Sequence, residues 1–292
     1  MGVMLEASMG EQQTWVVAVS GGIDSVVLLD ILHQHSQARL VVAHVDHGIR
    51  DDGDEDLLVV QKHAAARNIH LEYTKLELSP SVSEEKARTA RYEWLHEIAD
   101  KHKAVRIVTA HHQDDVLETI IINQLRGTGW RGLASLRSTE MLYRPLLHMS
   151  KARIIAYALH HKLEWRDDNT NDDMRYLRNV VRSVYIPRLS AEQRHELISL
   201  YEKQIELRSK IDEEIKRHVG SLENDISRYW LTMVPSGVAT ECLQMIVGTR
   251  LQRQHQQQLL HFVRTAKVGS TLELPDGLKT RVTAGELIVS HP

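Results

Sequence analysis

Thr14-Trp15-Val16-Val17-Ala18-Val19-Ser20-Gly21-Gly22-Ile23-Asp24-Ser25 decides the fold of this chain. The segment from Thr14 to Ser20 is almost continuously apolar, without polar alternation, which predicts a strand buried on both faces. A Gly-Gly turn follows, and a helical pattern runs from Ser25 to His35. Two glycines let the backbone approach a ligand, the serines supply hydroxyls, and the free amides of a helix start attract phosphate. The physical expectation is an anion cradle. A plain strand-to-helix turn with a Ser or Asp cap is the alternative, weakened by matched polar positions directly after an apolar strand.

Outward from this unit the same alternation continues. Strands are expected over Arg39 to Asp46, Ile69 to Leu76 and Val105 to Ala110, and helices over Asp54 to Arg67 and Ser83 to Lys101. Ser81-Val82-Ser83-Glu84 has capping-box spacing ahead of the last helix. Strand alternating with helix predicts an α/β domain on a parallel sheet, with ligands outside the carboxyl ends of the strands. After Pro187 the pattern changes. Ala191 to His218 reads as one long charged helix, Gly237 to Val263 as helical, and Ser270 to Ser290 as small hairpins around Pro275-Asp276-Gly277 and Ala284-Gly285-Glu286. The division expected is a catalytic domain over 1–189 and a smaller, mainly helical domain with short hairpins over 190–292.

The 292 residues carry a net charge of -3, but the charge is uneven. Arg126 to Arg182 holds eleven Lys/Arg against six Asp/Glu, a basic stretch suited to a polyanion or to a solvated surface. One cysteine, Cys242, excludes an internal disulfide framework and a cysteine-built zinc or iron–sulfur site. That fits a reducing cytoplasm. No window approaches the roughly 20 apolar residues that span a bilayer, and Met1 to Thr14 lacks a signal-peptide core, so neither secretion nor a membrane is expected.

A second constellation, His111-His112-Gln113-Asp114-Asp115-Val116-Leu117-Glu118, starts at the end of the fourth strand and enters a helix. Asp114 and Asp115 lie four and three residues before Glu118, a spacing that gathers carboxylates on one helical face. Hard oxygen ligands beside a triphosphate suit Mg²⁺, with Asp24 contributing from across the cleft. An acidic helix N-terminus favoured by its dipole is the alternative. His44, His47, His111 and His112 lack metalloprotease spacing, and His44 and His111 are expected to pack or hydrogen-bond near the nucleotide. No G-x-x-x-x-G-K-[ST] occurs, so γ-phosphate chemistry is not expected.

The S-G-G-x-D-S loop resembles that of the PP-loop ATP pyrophosphatases, which implies attack of a substrate oxygen on the α-phosphate of ATP, with AMP and pyrophosphate as products. Further motifs are His44-Val45-Asp46-His47-Gly48-Ile49-Arg50, Ala87-Arg88-Thr89-Ala90-Arg91-Tyr92, Arg126-Gly127-Thr128-Gly129-Trp130-Arg131-Gly132-Leu133, Arg144-Pro145-Leu146-Leu147, Asp168-Asn169-Thr170-Asn171, Arg178-Asn179 and Arg182. Read together in this order, they resemble the tRNA(Ile)-lysidine synthetase family in its short form. The resemblance implies ATP and Mg²⁺, free L-lysine, and a tRNA(Ile) bearing a CAU anticodon, whose wobble cytidine is adenylated and then joined to lysine.

Carried onto this chain, Ser20, Gly21, Gly22, Ile23, Asp24 and Ser25 would hold the triphosphate, with Asp24 and Asp115 as metal contacts. Asp115 and Glu118 also compete for the role of holding lysine's ammonium. Arg88, Arg178 and Arg182 would bind phosphate or orient the adenylated base, with structural salt bridges as the alternative. Arg126, Trp130 and Arg131 would meet the tRNA through stacking and backbone contacts, although a tryptophan packed in the core is also an open reading. A homodimer stays open, because nothing in the sequence sets the oligomeric state. A tRNA thiolase would need paired cysteines, and another amidoligase would leave the Arg178-Asn179 segment and the long second domain without a role.

Overall fold

The computed structural model describes residues 13–46, 48, 53–76, 82, 84–166, 177–219, 225–247 and 251–290. His47, Ile49, Arg50, the flanks of the expected capping box at Ser81 and Ser83, and the Asp168 to Asn171 motif lie outside the described residues.

The apolar runs become parallel strands: β1 (Thr14–Ala18), β2 (Arg39–Asp46), β3 (His70–Lys75) and β4 (Arg106–Val108), with a two-residue β5 (Leu142–Tyr143) that the sequence analysis did not anticipate. Their order is β3-β2-β1-β4-β5. Helices α1 (Ile23–His35), α2 (Gly53–Ala66) and α3 (Glu84–Lys101) fill the crossovers as expected. Next come α4 (Gln113–Leu125), α5 (Trp130–Leu133), α6 (Lys151–His160) and α7 (Leu177–Val180).

Both sheet faces are covered, which is why β1 reads as unbroken apolar sequence. Trp15 and Val17 enter a core with Val27, Leu28 and Leu32 of α1, Val60 of α2 and Ile154 of α6. The intervening Val16 faces Leu95, Ile98 and Ala99 of α3. This is the period-two alternation of a strand with an apolar layer on each side. The chain proceeds outward from β1 through β2 to β3, then returns to the other side of β1 as β4. The carboxyl ends of β1 and β4 therefore flank the topological switch point, the place where open α/β sheets bind ligands.

By internal contacts the chain forms two compact units, Met1–Gln204 and Ile205–Pro292. The division falls within α8 (Ala191–Val219), the expected long helix. In the second unit, β6 (Asp225–Ser227), β7 (Thr271–Glu273), β8 (Lys279–Val282) and β9 (Glu286–Ser290) form an antiparallel sheet ordered β6-β9-β8-β7. The β7–β8 and β8–β9 hairpins were anticipated, whereas β6 was not. The expected continuous helix over Gly237 to Val263 is instead α10 (Ser236–Val247) and α11 (Arg253–Thr265), preceded by the short α9 (Arg228–Met233). Leu231, Leu243, Leu259, Val263, Val282 and Leu287 form its separate core. Among the described residues no helix is long and apolar enough to cross a membrane.

Candidate active site

After β1 the loop is built as its composition dictates. Gly21 adopts φ +94°, a conformation that favours glycine, and a Cβ there would sit 3.1 Å from the Asp56 carbonyl oxygen. Gly22 is the N-cap of α1 and supplies no side chain to cap it, so the Ile23 and Asp24 amides have no side-chain acceptor from the cap, while the Ser25 amide donates to the Gly22 carbonyl at 3.1 Å. Ser25 Oγ donates to the Gly22 carbonyl at 2.8 Å and accepts from the Ser20 amide at 3.1 Å, while the two hydroxyls lie 3.2 Å apart. These bonds hold the loop open and rounded. The Arg166 amide ties it from outside by donating to the Gly21 carbonyl at 3.1 Å. The Ile23 side chain is buried in the α1 core, so only its backbone faces the cradle.

His44 is 2% exposed, and its Nδ1–H donates to the Val19 carbonyl at 2.9 Å. This fixes the tautomer and leaves Nε2 as a buried acceptor with no partner. Together with the open cradle, an orphaned acceptor beside the loop fits a bound nucleotide.

From the neighbouring strand end, α4 begins with a reciprocal cap. The Asp114 amide donates to His112 Nδ1 at 3.2 Å, and the His112 amide donates to Asp115 Oδ2 at 2.8 Å. Because Nδ1 accepts, the ring proton is on Nε2. That nitrogen points between Asp24 Oδ1 at 3.6 Å and Asp115 Oδ2 at 3.7 Å. The two carboxylates named as metal contacts thus both approach one imidazole nitrogen. Burial raises the Asp115 pKa, but His112, His111, the His112 amide and Arg178 together hold it below the ordinary carboxylate range. Burial drives His111 down to about 3, against the pull of Asp115 and helped by Arg144, Arg88 and Arg178. His111 is therefore neutral at physiological pH, with Nδ1 2.9 Å from Thr109 Oγ1.

Glu118 is 1% exposed and is paired with two guanidinium groups. Arg178 Nε donates to Oε2 at 2.9 Å, Arg182 Nε to Oε1 at 2.6 Å and Arg182 Nη2 to Oε2 at 3.1 Å. The same guanidinium groups approach Asp115 Oδ1 at 3.6 and 3.5 Å. Arg178 and Arg182 reach one carboxylate because they lie four residues apart where α7 passes into a π-helical turn, Val181–Tyr185. Desolvation of Arg182 opposes its charge, but Glu118 and Asp115 more than compensate and raise its pKa. Arg88 stacks over Tyr92 at 5.1 Å and is close enough to depress His111.

Asp114 diverges from the other two carboxylates and faces Arg194 at 3.7 Å. Arg126, Trp130 and Arg131 lie past the far end of α4, about 20 Å along a 13-residue helix from its first turn. There Arg131 stacks over Trp130 at 4.7 Å, and Asn123 Nδ2 closes the glycine-rich turn by donating to the Gly132 carbonyl at 2.7 Å.

Sequence reasoning missed Lys151. Capped by Ser150, the first turn of α6 directs its Nζ to Asp24 Oδ1 at 2.6 Å. The available signal was a Ser-Lys pair shortly after the Arg144-Pro145-Leu146-Leu147 motif, and nothing local in it points to Asp24. His112 was weighed in the sequence only as a metal ligand and set aside, whereas here it caps a helix and turns one nitrogen to two carboxylates.

A phosphate-ready loop facing an Asp-Glu-Arg cluster across the switch point defines a nucleotide-binding α/β enzyme domain. The PP-loop domain family model matches residues 4–189, and the chain belongs to that family. Its curated relatives include tRNA(Ile)-lysidine synthases. The tRNA(Ile)-lysidine synthase of Exiguobacterium sibiricum is 38% identical over 179 residues, covering 60% of this chain and 43% of that protein. That of Bacillus subtilis is 30% identical over 297 residues, covering 91% and 63%. These relatives bear out the resemblance read from the motifs, and the chain spans 43% and 63% of their lengths. Among solved structures, the U34-tRNA thiolase NcsA from Methanococcus maripaludis with its [4Fe-4S] cluster has a TM-score of 0.55 at 15% identity, covering 68% of this chain and 74% of that one. This last likeness is one of fold.

Proposed function

We propose that this chain ligates L-lysine to C2 of the wobble cytidine in a tRNA(Ile) with a CAU anticodon, using ATP and releasing AMP and pyrophosphate. The observation that carries the reading is the meeting of Asp24 with the Asp115–Glu118–Arg178–Arg182 cluster around His112. One side of this arrangement suits a polyphosphate, and the other suits an ammonium group and a negatively charged reacting centre.

In the first step the cytidine O2 attacks the α-phosphorus of ATP, forming an O–P bond while the bond to the bridging oxygen of pyrophosphate breaks. The amides from Gly21 to Asp24 and the hydroxyl of Ser20 receive the departing pyrophosphate, with Ser25 Oγ holding the loop through the Gly22 carbonyl. His44 Nε2 offers the nucleotide a buried acceptor. Asp24 is partly exposed at the mouth of the loop and fits Mg²⁺ held by one carboxylate plus phosphate oxygens, with Asp115 as a further contact. When bound, the ion offsets charge developing on the phosphates.

In the second step lysine's ε-ammonium gives up a proton to water, and the free amine forms a bond to C2 while the bond from C2 to the adenylate oxygen breaks; AMP leaves and the added nitrogen releases its surplus proton to solvent. Both Glu118 oxygens accept from guanidinium groups, which makes Asp115 the better partner for lysine's ammonium and Glu118 the holder of the two arginines. Arg88, Arg178 and Arg182 keep positive charge beside the departing phosphate. Arg126, Trp130 and Arg131, together with residues 190–292 as a second domain, supply tRNA contacts.

The test is incubation with ATP, Mg²⁺, labelled lysine and a CAU-anticodon isoleucine tRNA transcript, followed by nucleoside mass spectrometry. Lysidine at the wobble position is expected, and none with elongator methionine tRNA or with Asp24→Ala. Pyrophosphate release without lysine incorporation would replace the nucleophile while keeping the PP-loop chemistry. Folded protein that forms neither product sinks the assignment.

A further inference from the structure

A separate set of donors lies in the amino-terminal half of the edge strand β3, away from the strand ends that carry the phosphate loop. His70 pairs in register with Val41, while Asp46 at the carboxyl end of β2 pairs with Lys75. His70 and Glu72 are two residues apart and share a face of the strand. His102 directly follows α3, its amide donating to Ile98 at 3.1 Å as the last helical turn closes. His70 Nε2 is 3.0 Å and His102 Nε2 2.7 Å from Glu72 Oε1, and the three ligand atoms all lie within 4.8 Å of one another. Among the described residues, no other group of three His, Cys, Asp or Glu side chains converges this closely.

We propose that His70, Glu72 and His102 form a binding site for a divalent transition-metal ion, with zinc the leading candidate. Two imidazole nitrogens and one carboxylate oxygen are the donors such ions favour, and three protein ligands leave a position for water. Two of the ligands sit on a hydrogen-bonded strand, and the third follows a helix whose carboxyl end attracts positive charge. His70 is 54% exposed, which gives the ion an entry path. The Lys101 ammonium now lies 2.8 Å from Glu72 Oε1, but its side chain is 60% exposed and is free to turn into solvent when an ion replaces it. The bound ion would staple β3 to the end of α3, independently of the chemistry at the phosphate loop.

Untagged full-length protein, stripped with chelator, is titrated with Zn²⁺ by calorimetry and with Co²⁺ by visible absorption. The wild type is expected to bind one equivalent at this site with the intense visible bands of low-coordinate Co²⁺, and Zn²⁺ is expected to raise its melting temperature. His70→Gln combined with His102→Gln should weaken binding by about tenfold or more and abolish the bands, whereas Asp24→Asn should keep both. The single variants His70→Gln and Glu72→Gln, at partly exposed positions, supply the comparison if the double variant does not fold. Equal Zn²⁺ affinity in wild type and ligand variants, or only the weak spectrum of octahedral Co²⁺, overturns the proposal.

Discussion

Lys151 and Asp24, 127 residues apart in sequence, meet in an ion pair of 2.6 Å at the mouth of the phosphate loop. The loop contains no lysine, and α6 supplies one from outside it. Both side chains are about a third exposed, so the pair contributes at most about 1 kcal/mol to stability. Lys151→Met should therefore melt close to wild type. Its pyrophosphate release should fall mainly through a raised KM for ATP, with Lys151→Arg recovering most of the loss. Unchanged steady-state kinetics in Lys151→Met would remove the lysine from the phosphate site.

Glu118 lies beneath two guanidinium groups, and truncating it leaves them without their shared acceptor. Breaking a fully buried pair costs about 3–5 kcal/mol. Arg182 is 39% exposed and reaches water, so Glu118→Ala should cost nearer 2 kcal/mol in urea unfolding. Loss of lysidine formation should exceed what this destabilisation explains, because Arg178 and Arg182 lose their orientation.

Gly21→Ala places a Cβ 3.1 Å from the Asp56 carbonyl at a φ of +94°. The strain should cost about 1–3 kcal/mol and weaken ATP binding. Equilibrium dialysis with labelled ATP checks the second effect, and calorimetric melting the first.

Asp30 of α1 is buried and accepts from Arg67 Nη2 at 2.5 Å, Gln34 Nε2 at 2.7 Å and the Tyr157 hydroxyl at 2.9 Å. Burial, then the bond to Asp30, raises the Tyr157 pKa. Asp30→Ala removes the carboxylate of a nearly buried guanidinium, leaving Arg67 only its contacts with His63, and should lower stability by about 3 kcal/mol in denaturant unfolding.

His111 makes stability depend on pH in mildly acidic solution. Its pKa falls from 6.5 to about 3 on folding, so between these values the unfolded chain binds more protons than the folded one. The contribution is fully present above pH 6.5, declines as pH falls below it, and is lost by about pH 3. In His111→Gln the slope of stability against pH between 6.5 and 4.5 should be shallower than in wild type. Parallel slopes would show that the imidazole titrates normally.

Much of this was legible from local sequence. β2 has the predicted limits of Arg39–Asp46, and α1, α2 and α3 lie within two residues of expectation at each described end, because a strand buried on both faces leaves a continuous apolar run. The Gly21–Gly22 turn and the Asp115–Glu118 spacing carry their geometry in a few adjacent residues. β5 has only two residues and is held by register with Ile107 and Val108, so it leaves no periodic signal of its own. The break between α10 and α11 was hidden by apolar residues that continue on both sides, even though Gly248 was available as a stop signal.

The sequence by itself determined the parallel α/β core, the glycine turn between β1 and α1 and the family, because each rests on short-range pattern and backbone conformation. Tertiary structure alone decided which charges meet. The sheet order brings the ends of β1 and β4 together, α6 delivers Lys151 to Asp24, and the π-helical turn sets Arg178 and Arg182 against Glu118 rather than in open solvent. Those pairings join residues 60 or more positions apart. Side chains that distant are brought together by the packing of apolar helix faces, which no local spacing encodes.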